Sequence, residues 1–311
     1  MFAEIIKFVI GALLLWKGAD IFVRGASVLA ARAGVSGLMA GLTLGALGTS
    51  LPEMVVSWFA AVSGTPSIAL GNAMGSNVAN ICLALGLGAV IAPVEAARRE
   101  IMAEYGVMVF AAALLWALSF GLYISRVSGS VLLLCGVLYL FLLSRRRKTA
   151  PAAPVSEGKN RSLPAAAAGT LLALGALLLG ADFMVGSVVS AARATGLSQT
   201  LISLSAVALG TSLPEIAVLV AGSIRKEYGI GIGTVIGSNI FNIFFVAGGA
   251  AAISGISIES AEFIFQIPAV FAVSVLLFPF LFTGLRVARA EGAALLGLYM
   301  GYMYLIFRFI R

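Results

Sequence analysis

Two glutamates stand where a carboxylate is hard to keep. Glu53 and Glu215 each fall inside a long apolar stretch, 36–61 and 198–223, that contains no Lys or Arg. At the centre of a membrane-crossing helix a carboxylate costs about 2.5–3.5 kcal/mol on insertion scales. Something mobile must therefore supply the positive charge. The neighbours indicate its kind. Thr49, Ser50 and Glu53 lie at i, i+1 and i+4, so the two hydroxyls flank the face that Glu53 occupies. Pro52 has no N–H, and its ring pushes away the Gly48 carbonyl, which predicts freed backbone oxygens around Ala46 to Thr49. Ser76 and Asn80 follow at i and i+4 on the next segment. Thr211, Ser212, Pro214, Glu215, Ser238 and Asn242 repeat the whole set.

The donors are carboxylates, amides, hydroxyls and carbonyls, without one nitrogen or sulfur ligand. Such a set selects hard cations. Ca²⁺ takes roughly 6–8 oxygens, whereas Mg²⁺ keeps water and prefers tighter octahedra. Two glutamates balance one Ca²⁺ or two Na⁺, and the two ions are close in size, so one site can hold either by turns.

Other chemistries are excluded by residue type. The chain has no histidine, so imidazole metal sites, Ser–His triads and histidine proton relays are absent. Cys82 and Cys135 share no CxxC spacing and read as packed hydrophobes. No Walker loop or strand-borne GxGxxG appears, which leaves ion gradients or a partner as the energy source. No resident cofactor is expected.

The elements that hold these residues follow from composition. Of 311 residues, 61% are hydrophobic and 11% charged, against roughly 45–50% apolar and about 25% charged in soluble domains. The net charge of +7 comes from basic residues lying mostly in short gaps between apolar runs, which indicates membrane topology rather than nucleic-acid binding. Apolar segments fall at 4–26, 36–61, 66–91, 101–124, 127–144, 164–187, 198–223, 229–254, 262–283 and 289–309. Their lengths suit helices crossing a bilayer. Between the fifth and sixth lies a basic, Pro/Ala-containing linker, too short for a domain.

Asp20 and Asp182, Gly34 and Gly196, Glu53 and Glu215, and Asn80 and Asn242 are each 162 residues apart. GLTLGALGTSLPE at Gly41–Glu53 answers SLSAVALGTSLPE at Ser203–Glu215, and GSNVANI at Gly75–Ile81 answers GSNIFNI at Gly237–Ile243. The recurrence of Gly18-Ala19-Asp20 as Gly180-Ala181-Asp182 also argues against reading the first segment as a removable leader. With five crossings per half, the second copy enters from the opposite side. The expected fold is an all-α polytopic membrane protein of ten transmembrane helices in two inverted five-helix repeats, residues 1–144 and 164–311, joined by the 145–163 linker. Inverted repeats point to a secondary transporter with a central site. The linker side carries thirteen basic residues: Arg32, Arg98, Arg99, the six within 145–161, Arg225, Lys226, Arg286 and Arg289. Only Lys7, Arg126, Arg193, Arg308 and Arg311 lie on the other side. The positive-inside rule places the linker in the cytoplasm and both termini outside.

Several polar or small residues have structural readings. Gly41 to Gly45 reads as a helix-packing surface. Asn77 and Asn239 read as helix-contact residues, and Ser76 and Ser238 have back-bonding to their own helices as an alternative. Asp20 has Lys17 and Arg24 at helical spacing, a self-satisfied cluster that Asp182 lacks. Arg145 to Lys148 serves topology and lipid contact.

The paired GTSLPE and GSNxxN motifs in inverted halves resemble the cation/Ca²⁺ exchanger superfamily, in its prokaryotic sodium/calcium exchanger branch, over nearly the whole chain. The resemblance implies an ion-binding core from the second, third, seventh and eighth helices, across which the first and sixth slide during alternating access. By motif position Glu53 and Glu215 match the acidic pair that holds Ca²⁺ and Na⁺. Thr49, Ser50, Ser76, Asn80, Thr211, Ser212 and Ser238 match polar ligands, and Ala46 and Ala208 match backbone-carbonyl donors. Some relatives, the potassium-dependent exchangers among them, have Asp where this chain has Asn242, so transport independent of K⁺ is expected.

The expected function is Na⁺/Ca²⁺ antiport across the cell (inner) membrane, not enzymatic catalysis, with the two ions and the lipid bilayer as partners and no nucleic acid or obligatory protein partner. H⁺ coupling, another divalent cation and a passive channel are the alternatives. An intramembrane hydrolase is disfavoured, since no nucleophile–base pair stands out.

Overall fold

The computed structural model describes residues 2–95, 98–145, 163–194, 210–259, 262–282 and 286–309. In chain order the helices are α1 (Phe2–Ala33), α2 (Gly37–Thr49), α3 (Leu51–Val62), α4 (Ser67–Ile91), α5 (Arg98–Leu118) and α6 (Arg126–Arg145). After the linker come α7 (Leu163–Ala194), α8 (Leu213–Ile224), α9 (Tyr228–Ser254), α10 (Ile267–Phe282) and α11 (Arg289–Phe309). The apolar segments and the helices coincide closely. The main difference is at α1 and α7, which run beyond the apolar stretches to 32 residues each.

Among the described residues, six helices (α4, the 101–118 part of α5, α6, most of α7, α9 and Phe263–Leu281) are long and apolar enough to cross a bilayer, and α2 with α3 makes a seventh when counted as one span bent by 44°. The remaining expected spans, α1, α11 and the one containing α8, are not among them. α1 carries Lys7, Lys17, Asp20 and Arg24, and α11 carries Arg289, Glu291 and Arg308. The segment that begins at 198 is described only from 210 onward.

Burial separates a centre from a periphery. In α9 94% of the span window is buried and in α4 78%, against 28% in α6 and in α7. The central apolar cluster runs through α4, α5, α6, α9, α10 and α11, with Met74, Ile81, Met108, Ile240 and Phe244 fully enclosed. A second cluster joins α1 and α7 to α2, α8 and the start of α9 through Phe22, Val23, Ala26, Leu177, Val218 and Ile230. The outer helices present Trp16, Phe110, Leu134, Leu171 and Leu172 on the surface. Lipid, not water, is the solvent that makes such a surface favourable.

α1 and α7 touch backbone to backbone because glycines meet there. A Cβ at Gly11 would lie 2.7 Å from the Gly180 carbonyl oxygen, and one at Gly180 would lie 2.8 Å from that of Gly11. The contact recurs at the 162-residue offset, where a Cβ at Gly18 would lie 3.1 Å from the Ala173 oxygen. Small residues permit this closeness between helices in lipid. Two short antiparallel pairs depart from the all-helical expectation: β1 (Val94–Glu95) with β4 (Arg286–Val287), and β2 (Tyr123–Ile124) with β3 (Ile256–Ser257). Each ties a loop of one half to a loop of the other.

Candidate functional site

The doubled motif sits at a break in the helix. Pro52, at the second position of α3, cannot continue the hydrogen-bond ladder of α2. Ser50 takes φ −87° and ψ 2°, and Ser212 before α8 takes φ −87° and ψ −2°. One local sequence thus makes one local shape twice. The expected freeing of carbonyls is narrower than the sequence reading. Ala46 O accepts from Ser50 N–H at 3.0 Å, because the ladder survives up to the residue whose donor proline removes. Ala208, matched to Ala46 by motif, lies outside the described residues.

The motif helices in the centre are irregular too. A π turn occupies Ala79–Ala84 in α4 and another Asn242–Ala247 in α9. Such turns inside α-helices are frequent at functional sites. Here they carry Asn80 and Asn242.

Both glutamates are buried to 1% exposure. Thr49, Ser50, Ser76, Asn80, Ser212, Ser238 and Asn242 are buried with them, while Thr211 is half-buried. The hydroxyls bridge the halves. Ser50 donates to Glu215 Oε1 at 3.4 Å, and Ser238 donates to the same oxygen at 3.3 Å. Thr49 and Ser238 hydroxyls lie 3.5 Å apart, and the offset-related pair Ser76 and Thr211 lies 3.3 Å apart. Thr49 additionally donates to Gly45 O of its own helix at 2.9 Å. Ser76 and Ser238 make no such back-bond among the described residues; their hydroxyls reach across instead.

Much of the polar surface has no protein partner among the described residues. Glu53 Oε2, Glu215 Oε2, Ser212 Oγ and the side-chain oxygen and nitrogen of Asn80 and Asn242 are buried without one there. Among the described residues the ion pairs are Lys7–Glu4, Arg24–Asp20 and Arg225–Asp20, so no resident cation reaches either glutamate. A buried polar atom left unpaired costs about 1–3 kcal/mol, and more if charged. A cation coordinated by these oxygens removes that cost.

The chain matches the sodium/calcium exchanger protein family over residues 4–145 and 165–308. It belongs to that family. The putative antiporter CaxA of Alkalimonas amylolytica is 35% identical over 317 residues, covering 99% of each chain. The sodium/calcium exchanger MaX1 of Methanosarcina acetivorans is 30% identical, covering 96% of this chain and 97% of its own. Among solved structures, the sodium-calcium exchanger NCX_Mj, soaked with Na⁺ and Ca²⁺, superposes with a TM-score of 0.85 at 30% identity and 98% coverage of both chains. This is a multi-pass membrane protein of a cation/Ca²⁺ exchange family, a transporter family rather than an enzyme family.

In this family member the structure adds polar neighbours that sequence reasoning passed over. Asn72 donates to Ser57 Oγ at 3.0 Å and to Glu53 O at 3.5 Å. The signal was present, since Asn72, Ser76 and Asn80 form one i, i+4, i+8 row, and Glu53 and Ser57 are four apart. Glu104, in α5, is a buried carboxylate that the sequence reading did not weigh. Asn77 donates to Asn239 O at 3.4 Å, and Asn239 contacts Met108 Sδ at 3.6 Å, the helix-contact role expected of this pair. Gly41 and Gly45 pack against Ile230, Gly233 and Thr234 of α9. Asp20 requires a correction. Its second partner is Arg225 of the α8–α9 turn, not Lys17, whose ammonium sits 4.6 Å above the Trp16 ring. A residue 205 positions away cannot be found from helical spacing. Asp182 is exposed.

Proposed function

We propose that the chain is a Na⁺/Ca²⁺ antiporter working by alternating access through one central all-oxygen site. The observation that carries this reading is the pair of enclosed carboxylates, Glu53 and Glu215, with hydroxyls from both motif copies around them and, among the described residues, no Lys or Arg paired with them. Travelling cations provide the countercharge. Glu53, Glu215, Thr49, Ser50, Ser76, Asn80, Thr211, Ser212, Ser238 and Asn242 supply side-chain donors, and Ala46 and Ala208 supply backbone oxygens. Either one Ca²⁺ or two Na⁺ neutralises the carboxylates, so a site with neither is reluctant to cross.

In this reading ten helices form two inverted five-helix repeats, 1–144 and 164–311. α1 and α7 move together across the core, and their glycine-lined contact supports motion as a pair. The protein lies in the cell membrane with the 145–163 linker in the cytoplasm and both termini outside, in keeping with the excess of basic residues on the linker side. Asn80 and Asn242 make the centre symmetric and free of a third carboxylate, which supports transport without K⁺. MaX1 and NCX_Mj bear the name of sodium/calcium exchangers, which favours Na⁺ as the coupling ion.

The test is radiolabelled Ca²⁺ uptake into vesicles preloaded with Na⁺. Uptake should require the outward Na⁺ gradient and vanish without it. Uptake that follows a pH step and ignores Na⁺ would assign proton coupling, and Ca²⁺ flux without any counter-ion would assign a channel.

A further inference from the structure

The two motif copies are not held equally. On α3, five residues past Glu53, the Trp58 indole N–H donates to the backbone oxygen of Phe245 at 2.9 Å. Phe245 belongs to the π turn Asn242–Ala247, in which Gly248 N–H bonds to both Ile243 O and Phe245 O. A π turn breaks the regular i to i+4 pairing, and the Phe245 oxygen, which has two lone pairs, takes the Trp58 indole N–H as a donor from outside its own helix. Gly249 lets the indole come this close, since a Cβ there would lie 2.3 Å from Trp58 Nε1 and 2.6 Å from Cε2. At the 162-residue offset the counterparts of Trp58 and Phe245 are Val220 and Leu83. Valine has no donor, so the equivalent turn of α4, Ala79–Ala84, has no such strap.

We propose that Trp58 is a positioning residue for Asn242: its indole straps the helix bearing Glu53 to the π turn that opens with Asn242, and so sets the distance across one side of the ion site. Asn242 has both amide atoms without a partner among the described residues, so the register of its turn is the restraint on where they point. The asymmetry makes the Asn242 side of the centre stiffer than the Asn80 side. The inference rests on the reading of Asn242 as part of the ion site.

The experiment compares Trp58→Phe, Gly249→Ala, Asn242→Ala and the double variant Trp58→Phe/Asn242→Ala, with Ca²⁺ KM and Vmax from Na⁺-loaded proteoliposomes and melting temperatures of the purified proteins. Phenylalanine keeps a ring and removes the donor, whereas alanine at 249 displaces the indole from a different helix. Expected is a rise in Ca²⁺ KM on the order of tenfold in both, the scale of one lost hydrogen bond to a buried carbonyl, with Vmax within about twofold, and no further rise when Trp58→Phe is added to Asn242→Ala. Unchanged KM in Trp58→Phe, a lowered melting temperature alone, or losses that multiply in the double variant would overturn the positioning role. Wild-type KM in Asn242→Ala would instead overturn the assignment of Asn242 to the site, and the proposal with it.

Discussion

Replacing either central glutamate by glutamine removes a charge and almost nothing else. In Glu215→Gln the amide oxygen can still accept from Ser50 and Ser238, which now reach Oε1 at 3.4 and 3.3 Å, so the cradle keeps its shape. The loss is electrostatic and scales with the charge of the ion. At a Ca²⁺–oxygen distance of about 2.4 Å, one unit of ligand charge acting on a divalent ion is worth about 3.5 kcal/mol even at the dielectric constant of water. That corresponds to roughly 300-fold in affinity, and a monovalent ion loses about half the energy, roughly 20-fold. These are floors, since a group 1% exposed is screened less than one in water. Glu53→Gln and Glu215→Gln should therefore both weaken Ca²⁺ far more than Na⁺. Equilibrium Ca²⁺ binding to purified protein, with Na⁺ competition, measures both affinities, and uptake into Na⁺-loaded vesicles reads the loss of exchange. Equal factors for the two ions, or wild-type Ca²⁺ affinity in either variant, would refute the charge-balance argument.

Ca²⁺ uptake driven by Na⁺ should be the same within error in K⁺ and in choline media; a requirement for K⁺ would contradict the role given to Asn242. Arg225→Ala leaves Asp20 with Arg24 alone and should lower the melting temperature in detergent by a few degrees, about 1 kcal/mol for a pair a quarter exposed. Adding Asp20→Asn to Arg225→Ala should cost only what the more exposed Arg24 pair is worth, and a second loss as large as the first would show that the Asp20–Arg225 pair does not act as a unit. Gly11→Val and Gly180→Val should each force α1 from α7, lowering thermal stability by about 1–3 kcal/mol and slowing exchange, whereas Gly169→Val, where a Cβ meets nothing within 4 Å, should leave both unchanged.

Much of the architecture was open to reading before any coordinates. The apolar segments could be bounded closely because a bilayer demands long uninterrupted runs, and the copied GTSLPE and GSNxxN motifs made Glu53 and Glu215 conspicuous. Helical spacing also placed Ser76 with Asn80 on α4, but the 44° break at Ser50 parts Thr49 on α2 from Glu53 on α3, and Thr49 and Ser50 meet Ser238 and Glu215 instead. Periodicity failed where the partner was remote. Asp20 was matched to Lys17 at short range, yet its second ion pair comes from Arg225. The sequence predicts a free Ala46 carbonyl, yet it accepts from Ser50 N–H, which leaves it one lone pair for an ion.

Residue type and spacing alone determined that this chain is a membrane protein, that it repeats itself, and that its buried oxygens suit a hard cation. Those are local properties, written in hydropathy, in a missing proline N–H and in the chemistry of the donors. Tertiary structure decided which groups meet. Ser50 serves Glu215 rather than the glutamate three residues away, Ser76 meets Thr211, and Trp58 holds a turn of α9. The physical reason is that a helix's periodicity specifies which side chains share a face but carries no record of which distant helix will pack against that face.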